Sequence, residues 1–261
     1  MQPATSPAER AKFYAARHAL KEVKSGMRVG LGTGSTAAWF VKLLGERVAK
    51  EGLEVRCAAT STRTADMARE LGIPLFSLDE LGWLDVTFDG ADEVDPKLNL
   101  IKGGGGALLQ EKIVATASDR MVVLTDSSKE VDTLGAFPLP VEIVRFGWET
   151  TQSLVTEALD GADVMGHGVS LRKDRDQPYV TDEGHYILDL HLRRIGKPRA
   201  LSNTLLNIAG VVETGLFLDI ADSVVIGSPS GEVRVRDLEG EAHFTPSDEE
   251  LESGSIFSPD Y

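Results

Sequence analysis

The sequence predicts an α/β protein: an open, mainly parallel, Rossmann-like sheet with a second, smaller α+β domain of ferredoxin-like type. Three observations predict it. Short apolar runs alternate with helical patterns from Met27 to Asp126, which calls for parallel strands covered by helices on both faces. A glycine-rich turn, GLGTGST (30–36), joins the first apolar run to a helix. After about Gly135 the order becomes β-α-β-β-α, which suits a small α+β unit.

Each element has its own signal. Phe13, Ala16, Leu20 and Val23 form one stripe of a helix over 12–24. MRVGLG (27–32) is the first strand, and a helix follows the glycine turn to about Lys50. LEVRCAA (53–59) is the second strand. TSTRTADMARELG (60–72) offers several N-cap residues and stops at a glycine. IPLFSL (73–78), LDVTFDG (84–90) and RMVVLTD (120–126) read as further strands, with a helix over 107–118. PLPVEIVRF (138–146) is extended, 149–160 is a helix, and GVSLRK (168–173) is a strand. YVTDEGHYILDLHL (179–192) reads as a hairpin around Asp-Glu-Gly. PRALSNTLLNIAG (198–210) is a helix. VVETGLF (211–217) and SVVIGSP (223–229) have buried-strand texture and are expected to rejoin the first sheet. The division expected is therefore 1–135 with 207–261 for the larger α/β domain, and 136–206 for the smaller. An acidic tail containing SDEELESGS begins at about Gly240 and is expected to be mobile.

Composition excludes several classes. The net charge of −14 argues against nucleic acid and anionic membranes as partners, since both need a basic face. No apolar run reaches the ~20 residues of a membrane helix. The first twenty residues lack a signal-peptide core, and the single Cys57 cannot form an internal disulfide. Both point to the cytoplasm. The five histidines show no metal-ligand spacing, and no CxxC is present.

Three clusters can carry chemistry. In GLGTGST, backbone N–H groups and the hydroxyls of Thr33, Ser35 and Thr36 can cradle an anion at a helix start. The loop is neither a Walker motif nor a complete GxGxxG, because Ala37 stands at the third glycine position. The acidic turn Asp89, Asp92, Glu93, Asp95 follows a buried strand, where open α/β sheets bind ligands. These acids suit hydroxyl binding and proton transfer, with Mg²⁺ binding as the alternative. Glu93 and Asp95 are expected to face solvent as ordinary turn residues. Third, Lys102 precedes Gly103, Gly104, Gly105 and Gly106, and Glu111 lies in the helix that follows. The glycines lose conformational entropy on folding, so four in a row imply backbone amides facing a ligand. A partly shielded Glu111 would gain basicity suited to proton abstraction, and Lys102 can neutralise an oxyanion; a surface ion pair between them is the plainer reading. Lys12 and Lys129 matter only if the fold brings them to the glycine–threonine loop.

The segments GLGTGST, TSTRTADMARELGIPL, DGADEVDPKLNLIKGGGGALLQEKIVA and DSSK, in this order, resemble the ribose-5-phosphate isomerase A family. The likeness runs through PLPVEI, YVTDEG–YILD and NIAGVVETGLF, and so spans nearly the whole chain before the acidic tail. It implies interconversion of ribose 5-phosphate and ribulose 5-phosphate without metal or organic cofactor, in a homodimer or homotetramer. It also implies roles. Glu111 matches the base. Asp89, Gly90, Ala91 and Asp92 match the DGAD substrate contacts. Lys102 with Gly103, Gly104 and Gly105 matches the KGGG loop, and Thr33, Gly34, Ser35 and Thr36 match the TGST loop. Lys129 and Lys12 match lysines near the substrate. Arg145 stands where proline is common and His185 where asparagine is common, which touches the smaller domain more than the chemistry. Rivals are a CoA transferase with a nucleophilic glutamate, a non-catalytic sugar-phosphate sensor, and a Mg²⁺-dependent sugar-phosphate enzyme.

Overall fold

The computed structural model describes residues 6–245. The SDEELESGS stretch lies outside the described residues. Helix α1 (Pro7–Ala19) starts one turn earlier than its apolar stripe suggests, because Ser6 caps it and Pro7 fits its first turn. Strand β1 (Arg28–Leu31) leads into α2 (Ser35–Glu51), and β2 (Arg56–Ala59) into α3 (Thr62–Glu70), capped by Ser61. The short α4 (Leu78–Leu81) is closed by a capping box between Ser77 and Glu80. Then come β3 (Val86–Gly90), β4 (Glu93–Val94), β5 (Leu100–Ile101), α5 (Leu108–Thr116) and β6 (Met121–Asp126). The next group is β7 (Leu139–Ile143), α6 (Trp148–Leu159), β8 (Gly168–Leu171), β9 (Lys173–Asp174), β10 (Gln177–Pro178), β11 (Tyr186–His191) and α7 (Pro198–Leu206). The last described elements are β12 (Val211–Thr214), β13 (Leu216–Phe217), β14 (Ser223–Gly227), β15 (Val233–Arg236) and β16 (Glu241–Phe244).

The main sheet has seven strands in the order β16-β15-β14-β6-β3-β1-β2. The five from β14 to β2 are parallel, and β15 and β16 add an antiparallel edge. Strand alternation divides its core. Val122, Leu124 and Val225 join Phe13, Phe40 and Phe88 on the face covered by α1 and α2. Met121, Val123, Val224 and Ile226 join Leu98, Leu100 and Phe217 on the other.

A four-stranded antiparallel sheet, β12-β7-β11-β8, packs against α6 and α7 around Val141, Val155, Leu188 and Leu205. Its β-α-β-β-α-β order is ferredoxin-like. Strand β12 was expected in the main sheet; it instead pairs with β7 and completes this smaller sheet. Gly215 then ends the run, and β13 pairs with β5 in a separate three-stranded sheet. A buried-strand pattern identifies a strand but not its partner.

Three further expectations change. IPLFSL contributes one bridge, Cys57 to Leu75, because Pro74 has no N–H for a ladder and Ser77 already caps α4. The expected hairpin keeps its turn, with Thr181 N donating to His185 O, but both edges of β11 pair with β7 and β8. The supposed tail is ordered at its start, where β16 pairs with β15. Among the described residues, no helix is long and apolar enough to cross a membrane.

Candidate active site

The main sheet's parallel strands deliver their carboxyl ends to one cleft of about 140 Å³. Strand β1 brings Thr33–Thr36 and β3 brings Gly90–Asp92. Lys102–Gly105 follow β5, and Lys129 lies in the 3₁₀ turn after β6. Helix α1 contributes Lys12 and α5 contributes Glu111. Of the residues to which the resemblance gives a role, all line this cleft except Asp89, which is fully buried beneath it; Glu93, Asp95 and Gly106 lie outside its lining.

Asp89 organises the floor. Its Oδ1 accepts the backbone N–H of Thr33 at 3.0 Å and of Gly90 at 2.7 Å. Its Oδ2 lies 3.1 Å from Lys102 Nζ. The β1 turn passes so close that a Cβ on Gly32 would meet the Asp89 carboxylate at 2.2 Å. Gly34 adopts φ 116°, the left-handed side that favours glycine, just before α2. In this structure Asp89 supports the Thr33 turn and Lys102 from beneath the cleft.

Lys102 is 2% exposed and its ammonium is saturated. It donates to Gly90 O at 2.5 Å and Glu111 Oε1 at 3.0 Å, besides the contact with Asp89. Phe217 lies 5.5 Å away, ring toward the cation. Burial disfavours this cation, but the two carboxylates outweigh it and raise its pKa. The surface ion pair considered for Lys102 and Glu111 is thus a buried one.

Glu111 sits in the first turn of α5 and is 3% exposed. Burial first, then the nearby Asp89 charge, push its pKa up to about 8 despite Lys102. Burial likewise raises Asp89, with Lys102 opposing. Two carboxyls sharing one cation in a dry pocket hold an extra proton between them, since the neutral cluster avoids an uncompensated charge. Hydrogen bonding places it. Asp89 Oδ1 receives two backbone N–H groups, which favour the ionised form of Asp89, whereas Glu111 accepts only from Lys102; Asp89 Oδ2 and Glu111 Oε2 both lack a hydrogen-bond partner among the described residues.

The walls are built differently from expectation. The Thr33 hydroxyl turns inward to Thr60 and Ser61, both at 2.8 Å, leaving its loop's amides and Ser35 and Thr36 for the cleft. Asp92 accepts Gly104 N–H at 2.7 Å. Lys12 is held by Glu9 at 2.8 Å, and Glu9 also accepts Trp39 Nε1 at 2.8 Å. Glu93 and Asp95 do not face solvent. Glu93 accepts Gly135 N–H at 2.7 Å and Phe137 N–H at 2.5 Å, and Asp95 caps Lys97 and Asn99. Turn acids beside buried backbone satisfy orphan amides before they reach water.

Sequence reasoning missed the contribution of the smaller sheet. Arg172 donates to Gly103 O at 2.7 Å, Tyr179 OH approaches Gly105 O at 3.4 Å, and Asp182 accepts Thr62 N–H at 2.7 Å. Nothing in LRKDRD separates Arg172 from Arg175, so only the fold could reveal these contacts.

Comparison with known proteins agrees with this geometry. A family model described as ribose 5-phosphate isomerase A (phosphoriboisomerase A) matches residues 56–231. A protein named ribose-5-phosphate isomerase A from Dinoroseobacter shibae is 60% identical over 257 residues, 97% of each chain. The structure of ribose 5-phosphate isomerase A from Methanocaldococcus jannaschii superposes with a TM-score of 0.77 at 38% identity, covering 90% of this chain and 98% of that one. A D-ribose-5-phosphate isomerase in complex with phospho-erythronic acid gives 0.80 at 37% identity, covering 92% and 100%. With the TGST, DGAD and KGGG segments lining one cleft above a buried lysine–carboxylate cluster, and with identity this high over the full length, the chain belongs to the ribose 5-phosphate isomerase A family.

Proposed function

We propose that this protein is an aldose–ketose isomerase. It interconverts D-ribose 5-phosphate and D-ribulose 5-phosphate through an enediolate, in the non-oxidative pentose phosphate pathway. One observation carries the reading. A buried glutamate with an unpartnered oxygen stands beside a saturated lysine, on a cleft shared with a glycine–threonine loop at a helix start. The phospho-erythronic acid complex of a relative supports it, since that ligand pairs a sugar-like phosphate with a carboxylate resembling an enediolate.

The residues divide the work. The substrate's phosphate anchors on the amides of Gly34–Thr36 and the Ser35 and Thr36 hydroxyls, with Lys12 or Lys129 adding charge. That remote binding energy orients the reacting carbons. Asp92 binds sugar hydroxyls. Glu111, deprotonated, removes the proton from C2 of the open-chain aldose and returns it to C1, while the hydroxyl proton on O2 passes to O1. The enediolate formed between is stabilised by the positive field of Lys102 and by glycine-loop amides. Asp89 acts from below, holding Lys102 and the Thr33 turn. By family analogy the protein is a cytoplasmic homodimer or homotetramer, which sedimentation of the purified protein would test; exposed Phe146 and Met165 offer apolar contact surface.

The test is an EDTA-treated assay with ribose 5-phosphate, following ketose formation, beside the Glu111→Gln variant. Turnover by the native protein and its loss in the variant are expected. Full activity in Glu111→Gln would remove the assigned base. Activity that disappears with EDTA would favour the Mg²⁺ reading, and an acyl–CoA adduct on Glu111 the transferase reading.

A further inference from the structure

The glycine loop after Lys102 is held from behind by the smaller sheet. Arg172 lies just past β8, with its side chain 14% exposed. Its Nε and Nη2 form a fork on Asp189 of β11, at 2.9 and 2.5 Å. Its Nη1 donates to Gly103 O at 2.7 Å and approaches Gly104 O at 3.3 Å. The Gly103–Gly104 peptide is thereby gripped on both sides. Its carbonyl accepts from the guanidinium, and its N–H donates to Asp92 at 2.7 Å. A planar trans peptide sends N–H and C=O in opposite directions. A cation on one end and a carboxylate on the other polarise the same unit and strengthen both bonds. The next peptide follows the same logic. With Gly104 O turned toward Arg172, the N–H of Gly105 points away from it, and Gly105 lines the cleft. Tyr179 closes the far end, packed so tightly that a Cβ on Gly106 would meet its hydroxyl oxygen at 2.3 Å.

We propose that Arg172, anchored by Asp189, is a positioning residue for the isomerisation: it fixes the Gly103–Gly105 carbonyls away from the cleft, so that the Gly104 amide holds Asp92 and the Gly105 amide faces the substrate. The inference rests on the reading of the cleft given above. A fork is needed because one group must hold a carboxylate and reach two carbonyls at set angles, which a guanidinium does and an ammonium does not.

The test is a double-mutant cycle of Arg172→Gln with Asp92→Asn, reading kcat and KM separately, with binding of phospho-erythronic acid and of inorganic phosphate. Arg172→Gln should lower kcat by roughly 10–100-fold, the scale of a small misplacement. It should weaken phospho-erythronic acid in parallel and leave phosphate binding nearly unchanged, because the phosphate loop is separate. In the Asp92→Asn background the same change should cost much less, since contacting groups are not additive. Asp189→Asn, which leaves the arginine but removes its anchor, should move kcat in the same direction and serves if Arg172→Gln does not fold. A lowered melting temperature with unchanged kcat, or fully additive losses, would overturn the inference alone. Full turnover by Asp92→Asn would overturn the cleft reading and this inference with it.

Discussion

The charge state of one glutamate decides much of this protein's behaviour. The Glu111 pKa of about 8 lies above the ordinary carboxyl value of 4.5, so the native state binds its proton more tightly than the unfolded chain. The stability this contributes is complete below pH 4.5 and is lost as pH rises through about 8. Glutamine stays neutral throughout. The melting temperature of Glu111→Gln relative to wild type should therefore climb between pH 5 and pH 9, while kcat falls by about 10²–10⁴-fold. Thermal scans across that range check the sign. For the wild type, kcat/KM should rise with pH toward about 8, as the free enzyme's base loses its proton. Lys102→Ala leaves the buried Asp89–Glu111 pair without its cation, at a cost of about 3–5 kcal/mol. Its deficit in urea unfolding should shrink as pH falls, because protonation removes the uncompensated charge.

At the level of single elements, the β1 turn is the most constrained. A methyl on Gly32 would meet the Asp89 carboxylate at 2.2 Å and its Cα at 2.5 Å, so the strand ends must separate. Gly32→Ala should lose about 1–3 kcal/mol of stability and most activity. Gly26→Ala makes the contrast. Its φ of 92° strains any other residue, but nothing lies within 4 Å of the added carbon. It should cost about 1–2 kcal/mol and leave kcat and KM unchanged. Comparing both variants by urea titration and steady-state kinetics separates close approach from backbone strain.

Across the whole molecule, buried carboxylates tie the segments together. Glu93 accepts two backbone N–H groups from 135–137, where the chain passes toward the smaller sheet. Glu93→Gln would turn an amide N–H₂ toward one of those donors, costing about 1–3 kcal/mol. A matching drop in urea midpoint, with catalysis retained in the folded fraction, is expected. The net charge of −14 acts at this scale too. Self-repulsion should make the melting temperature rise between 0.01 and ~0.15 M salt, as the screening length falls below ~10 Å.

Much of this architecture was legible before the coordinates. Strand–helix alternation, glycine turns and capping residues are local signals, so the parallel sheet and the lining of the cleft could be read from TGST, DGAD and KGGG. The partners of β12 and β11 could not, because an apolar strand pattern is the same whichever sheet receives it. Nor could the burial of Asp89, the inward turn of the Thr33 hydroxyl, or the hold of Arg172 on the glycine loop. Local chemistry is written along the chain. Hydrogen-bond partners and the water excluded around a charge depend on residues far apart in sequence, and only packing decides which meet.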